Sequence, residues 1–350
     1  MPRAPEKLWQ LSCLAKFPGM RALAWQGDVL YASRNYELYR AQVKPHGEMG
    51  QWEFVAQFAP AIWRKLSSHS RLLYRLARSG FHALAILPSG KMIAAVPGAI
   101  ITAAAGNAEV HITHRILRGT RPLHVTATPD GKVYWGEYFN NLRREEVFIY
   151  GSDDGGETWD VAYVFPAGSV RHIHNIVHDP YENCLWILTG DEGAECQILR
   201  ASYDLRSVDR ALSGGQQTRA AAAVPAREGL HFSSDTPHER NHIYCLERNG
   251  IARQLAEISS SSIYGCRVGN SIFFSTMVEP SAVNPDHKVR VYGTRNGADW
   301  DCLLEWKKDI WPSIFQYGNA FFPDGKNESG VLALSTTAVQ GTDQQLSLWI

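Results

Sequence analysis

The sequence has no excess charge of either sign: 35 Lys and Arg stand against 35 Asp and Glu. Nucleic acids and anionic membranes attract proteins through such an excess, so neither is the expected partner. No apolar run approaches the length that crosses a bilayer. The six cysteines (Cys13, Cys184, Cys196, Cys245, Cys266 and Cys302) lie far apart with no CxxC pair, which argues against a zinc ribbon and a disulfide framework. The first seven residues carry charge and proline with no apolar stretch behind them, unlike a secretory signal, so a cytoplasmic setting is expected. G-x-S-x-G, P-loop, G-x-G-x-x-G and H-E-x-x-H patterns are also missing. Helical periodicity is scarce. It is confined to Ile62–Arg78, where Leu66, Leu72, Leu73 and Leu76 fall near helical spacing.

What remains is period-two alternation between turn signals, over 350 residues of which 45% are hydrophobic. The strands group into units of about 35 to 50 residues, the spacing of four-stranded propeller blades. Arg21–Phe58, His82–Ile116 and His124–Phe165 form the first three. The fourth starts at His172 and its last strand is unclear; the fifth contributes "GLHFSSD", "HIYCLER" and "ARQLAEI". The sixth begins at "IYGCRV", and the seventh, after Trp311-Pro312, has three strands only. Leu8–Phe17 is a strand without a blade. Pairing it with the last blade closes the ring and removes two sheet edges. The expectation is therefore an all-β chain, residues 1–350 forming one seven-bladed β-propeller domain closed by its N-terminal strand, with one helical insertion near 62–78. An eighth partial blade or a two-sheet sandwich is the competing architecture. Ser207–Ala223, poor in large apolar residues, reads as a mobile loop.

Ser152-Asp153-Asp154-Gly155-Gly156-Glu157-Thr158-Trp159 fits S-x-D-x-G-x-T-W, with a worn copy at Thr294–Trp300. Asp154 is placed to bond the N–H groups of its own turn, the two glycines permit positive φ, and Trp159 packs back onto the blade. This motif resembles the Asp-box, or BNR repeat, of the sialidase propeller superfamily. The resemblance implies a propeller whose boxes are structural and lie opposite the active site. No sialidase arginine triad can be placed in the sequence, and Phe17-Pro18-Gly19-Met20-Arg21 is a distant echo of that family's start, which argues against sialidase activity itself.

In such a ring, the starts of the innermost strands and the loops after the second strands meet at one mouth. They carry Arg21, His82, Arg121 with His124, Arg171 with His172 and His174, Arg227 with Glu228, Tyr264, and Gln316 with Tyr317. The loops add Arg34, Asn35 and Glu37, then Glu137 with Tyr138, Asp191 with Glu192, and Glu279; Asp235 and His238 follow from blade five. The other mouth is mostly Pro-Ser-Gly and Pro-Asp-Gly turns. This asymmetry points to a functional site.

His82, His124 and His172 with Gln316 would suit a divalent metal. The set is similar to the metal site of oligogalacturonate-lyase propellers; the alternative is that each imidazole merely ties neighbouring blades together. The arginines suit a carboxylate or sulfate. The expected function is a carbohydrate-active enzyme on an acidic oligosaccharide, by β-elimination in preference to hydrolysis. His124, His172, His174 and Tyr138 would move protons, and Arg21, Arg121 and Arg171 would hold the carboxylate, with His82, Tyr264, Gln316 and Tyr317 completing the ligand site. A hydrolase would draw its pair from Glu137, Asp191 and Glu279. A non-catalytic propeller binding glycan or protein at the same mouth is the alternative.

Overall fold

Strand-forming alternation is realised in seven antiparallel sheets around a channel, in a computed structural model that describes residues 9–279 and 281–350. Five of the sheets run outward from the channel in strict chain order, and blades one and seven each add one strand from elsewhere in the chain. Blade one is Arg21–Gly27, Val29–Arg34, Glu37–Gln42 and Glu53–Gln57; blade two is Ala83–Ile86, Met92–Val96, Ala99–Ala103 and Val110–Arg115. Blade three is Thr126–Ala127, Val133–Gly136, Val147–Ser152 and Asp160–Phe165; blade four is His172–Asp179, Cys184–Gly190, Gln197–Ala201 and Val208–Ser213. Blade five is Ala220–Pro225, Gly229–Ser234, Asn241–Glu247 and Ala252–Ile258; blade six is Ser262–Val268, Ser271–Thr276, Lys288–Thr294 and Asp301–Lys307. Blade seven has Asn319–Phe321, Leu332–Thr337 and Gln345–Trp349, and its outermost strand is Cys13–Pro18 from the other end of the chain.

That pairing is in register from Cys13 opposite Trp349 to Pro18 opposite Gln345, so the N-terminal strand closes the ring. Leu8, where the strand was expected to begin, lies outside the described residues. A second latch was not foreseen. Asp324–Asn327 lies parallel to Arg21–Gly27, adding a fifth, channel-side strand to blade one.

Middle strands such as Met92–Val96 and Cys184–Gly190 are buried throughout, while outer strands such as Asp160–Phe165 keep one wet face. The apolar residues of adjacent blades therefore face each other, and the core divides into seven clusters, one per blade interface, among the described residues. The cluster of Ala22, Leu30, Val331 and Leu348 joins blade one to blade seven. A sandwich would have one inter-sheet core, and an eighth blade would need an eighth cluster.

Two expectations are corrected. The segment 207–223 is not a mobile loop: Val208–Ser213 is the fourth strand of blade four, and Ala220–Pro225 is the innermost strand of blade five. Its small side chains reflect the narrow channel side of the ring, where Ala220, Ala221 and Ala222 are buried. Blade five consequently starts earlier than the large residues suggest. The helical insertion is two helices, α1 (Ile62–Ser67) and α2 (Arg71–Ala77), because Ser70 adopts an extended conformation and caps α2 by accepting from the Leu73 N–H. Among the described residues no helix is long and apolar enough to cross a membrane.

Candidate functional site

The mouth formed by the innermost-strand starts holds a cavity of about 690 Å³. Arg21, His82, Arg121, Tyr138, Arg171, His172, His174, Asp191, Tyr264, Gln316 and Tyr317 line it, as do Asn35, Asp235 and Glu279. Most of the positions expected from sequence at this mouth therefore share one cavity. Not expected there were Arg78 and Tyr74, which α2 delivers to the rim, and Arg219, hidden by the misread start of blade five. An Arg in the last turn of a helix, two residues before Gly80, was the available signal for Arg78.

Two glycines make room. Gly80 (φ +87°) lies where a Cβ would strike the Tyr74 hydroxyl, and Gly119 (φ +79°) where one would strike the Tyr138 carbonyl oxygen.

The cavity is electrically divided. On one side stand Arg21, Arg78 and Arg121, none of which has a carboxylate within ion-pair distance among the described residues. Arg21 lies over the Phe321 ring at 4.3 Å and reaches the His82 carbonyl oxygen at 3.3 Å. Burial, reinforced by the charges of Arg21 and Arg78, pushes the Arg121 pKa down to about 9. Burial and the same arginines hold His82 neutral, with its pKa well below the usual imidazole range. His82 Nε2 donates to the Arg78 carbonyl oxygen at 2.7 Å, which assigns the lone pair to Nδ1.

The opposite side carries Asp191, Asp235 and Glu279 with Arg171 and Arg219. Arg171 Nη1 pairs with Asp191 Oδ2 at 3.0 Å and its Nη2 donates to Asn140 Oδ1 at 2.7 Å, so this guanidinium already has an acid. Arg219 Nη2 lies 3.3 Å from Asp191 Oδ1 and 3.7 Å from Asp235 Oδ2. Burial raises the pKa of Asp235, and burial together with Asp235 raises that of Glu279, which accepts from Ser261 Oγ at 2.8 Å. Tyr138 packs its ring 4.3 Å from that of His172, and burial pushes its pKa up to about 12.

Between these charges lie His172 and His174, neighbours on one face of the blade-four innermost strand. Their Nε2 atoms are 3.0 Å apart and 3.4 and 3.3 Å from Asp191 Oδ1. Of the described titratable side chains, these three form the group able to hold a metal ion.

The metal set expected from sequence is not assembled. His82 is bonded to Arg78, Gln316 Nε2 donates to the Arg75 carbonyl oxygen at 3.2 Å, and His124 Nδ1 faces Asp324 Oδ2 at 3.2 Å, away from the cavity lining. His124 is therefore no neighbour of the His172 pair. Glu137 is also outside the lining: Arg118 grips both of its oxygens and the Phe148 N–H donates to it, making it a structural ion pair. Arg227 and Glu228 sit at the first hairpin of blade five, facing the other mouth, because Ala220–Pro225 takes the innermost place. Glu192 pairs with Arg144, and Glu37 accepts from Tyr39. Arg34 and His238 do not line the cavity.

At that other mouth, Asp154 accepts from the Glu157 and Thr158 N–H groups and from Ser152 and Thr158 hydroxyls, while Gly156 N–H donates to Ser152 Oγ. These bonds hold its pKa well below the usual carboxylate range despite some desolvation. Asn296 accepts from Ala298 and Asp299 N–H in blade six, and Asp204 with Ser202 repeats part of the wiring in blade four. The last copy, Ser202-Tyr203-Asp204, lacks the Gly and Trp that would mark it in sequence.

No protein-family model and no curated protein matches the sequence. Solved structures do. A chain of the mitotic checkpoint complex superposes with a TM-score of 0.57 at 10% identity over 97% of this chain and 94% of that one. The WD40 β-propeller domain of Doa1 gives 0.55 at 12% identity over 98% and 96%. Together with the seven sheets, these likenesses define the class: a seven-bladed β-propeller. At such identities they carry the fold alone.

Proposed function

We propose that this propeller is a carbohydrate-active enzyme that cleaves an acidic oligosaccharide by β-elimination beside a uronate. The observation that carries the reading is the trio Arg21, Arg78 and Arg121 on one side of the cavity, left without an acid, with Arg121 desolvated enough to push its pKa down to about 9. Unpaired buried charge is expensive and is retained where a ligand supplies the counter-charge. A bidentate carboxylate meets that need.

The carbon next to the carboxylate carries the proton to be removed, so the base belongs beside the arginines. His82 is there, neutral, with Nδ1 as acceptor. An arriving carboxylate offsets the arginine charge that depresses His82 and so strengthens the base as substrate binds. His82 takes the C5 proton, the electron pair forms C4=C5, and the C4–O bond breaks. Tyr138, kept protonated by burial, gives its proton to the leaving oxygen. The hydrolytic route has less support, because Glu137 is tied up by Arg118 and Asp191 by Arg171.

The wiring of the Asp154, Asn296 and Asp204 hairpins supports kinship with Asp-box propellers, with the cavity at the mouth away from the boxes. A reducing cytoplasm suits the thiols of Cys184, Cys196 and Cys245, which burial pushes up to about 11 and leaves inert.

The test is incubation with polygalacturonate, alginate and glucuronan oligomers while following ultraviolet absorbance of an unsaturated uronate. The expected result is product with wild type, a loss of about 10²–10⁴-fold for His82→Gln with binding retained, and loss of binding for Arg121→Met. Tight binding without product would make the chain a glycan-binding propeller. Neither binding nor product with any acidic oligomer overturns the proposal.

A further inference from the structure

We infer that His172, His174 and Asp191 form a divalent transition-metal site open to the cavity. The backbone fixes which nitrogen of each ring carries its proton. His172 Nδ1 lies 3.0 Å from the Phe139 carbonyl oxygen and His174 Nδ1 lies 2.8 Å from that of Ala220. A carbonyl only accepts, so both Nδ1 atoms are N–H donors, and in the neutral rings both Nε2 atoms present lone pairs. Those lone pairs face each other at 3.0 Å and face Asp191 Oδ1 at 3.4 and 3.3 Å. With both rings neutral, three acceptors converge with no donor between any two of them, an arrangement that only a shared proton or a bound cation relieves. All three residues are buried, at 5%, 3% and 8% exposure, so water does not screen the repulsion.

A cation resolves it, and the spacing suits one. Bonds of about 2.1 Å from a metal to N or O give ligand–ligand edges of about 3.0 Å at right angles and about 3.4 Å at the tetrahedral angle. The observed edges fall in that interval. Carbonyls behind each imidazole are the usual outer partners of metal-binding histidines, fixing both tautomer and ring plane. Arg171 plays the same part behind the carboxylate, through Oδ2. Arg219 competes for Oδ1 at 3.3 Å, but Asp235 stands 3.7 Å from the same nitrogen and can receive it. The wider cluster holds three carboxylates against two guanidiniums, so a cation improves its balance.

Two imidazoles and one carboxylate suit Zn, Mn, Fe or Ni over Ca or Mg. His172 and His174 both line the cavity beside Tyr138, which leaves the remaining coordination positions to an oxygen of the ligand.

The site shares the cavity of the proposed lyase without depending on its chemistry. Chelator-treated full-length protein is titrated calorimetrically with Zn²⁺, and separately loaded with Co²⁺ for its visible spectrum. The expected result is one ion per chain and a Co²⁺ band of low-symmetry N/O coordination. His174→Ala and the ring-preserving His174→Phe should weaken uptake by more than about 100-fold, beyond the 10–100-fold cost of losing a partner behind a ligand. Circular dichroism confirms that the variants are folded. Absence of stoichiometric uptake by wild type, or unchanged uptake by folded His174→Phe, overturns the metal site and leaves the lyase reading standing. Uptake of one ion by a protein that yields no unsaturated product with any acidic oligomer has the opposite consequence.

Discussion

A guanidinium buried without an acid spends folding free energy, and Arg121 is held in that condition by Arg21 and Arg78. Arg121→Met keeps the volume and removes the charge. Replacing buried ion pairs by apolar groups is neutral to stabilising by about 1–4 kcal/mol, and Arg121 lacks even the partner of such a pair, so the ligand-free variant should melt higher than wild type by about 2 °C or more while losing affinity for acidic oligomers. Differential scanning calorimetry of both proteins checks this; a lower melting temperature would mean that Arg121 is a structural partner. His82 gives a pH signature. Its folded pKa lies well below 6.5, so between those values the unfolded chain binds a proton that the folded chain does not. The stabilisation is complete above about pH 6.5 and is lost as pH falls toward the folded value. His82→Gln removes that term, so wild type should lose more stability than the variant between pH 7.5 and 5.5, read from paired melting curves.

At the scale of elements, the insertion α1–α2 is what the alternating pattern of the sheets does not provide, and one residue pins it. Arg75, 1% exposed, donates from Nε to the Phe315 carbonyl oxygen and from Nη1 to Asp309 Oδ2, both at 2.5 Å, with Asp343 Oδ2 at 3.4 Å. Removing it strands Asp309 and Asp343. Arg75→Ala should cost about 3–5 kcal/mol in denaturant unfolding. It should also weaken acidic-ligand binding through misplacement of Tyr74 and Arg78, whereas Lys65→Ala on the exposed face of α1 should do neither. The periodicity of Ile62–Arg78 announced this insertion but not its break, because a serine reads equally as helix surface and as N-cap. Ala220–Ala223 failed to read as a strand for a related reason. Four small residues carry little β signal, and only the narrowing of the channel makes them the right size.

For the whole molecule, ring architecture was legible because each blade repeats the alternation and because one blade was a strand short. That deficit told where Cys13–Pro18 had to go. Which residues share the mouth followed from topology: of those given roles in the expected chemistry, all but His124 and Glu137 line the cavity. Whether an individual side chain is spent on a neighbour did not follow. Glu137 and Arg171 look alike in sequence, yet Arg118 takes the first, Asp191 takes the second, and Arg121 is left over. Such pairings depend on how the loops at the mouth fold against one another, as between Arg118 and Glu137, 19 residues apart, which alternation cannot encode. The unpaired trio is accordingly the centre of the account. A crystal structure of the protein soaked with a short uronate oligomer tests it most directly. The account predicts a carboxylate bridging Arg21 and Arg121, with Arg78 alongside and His82 beside the carbon that bears it. Each of the three guanidiniums turned onto a protein carboxylate, with the sugar elsewhere on the ring, would contradict it.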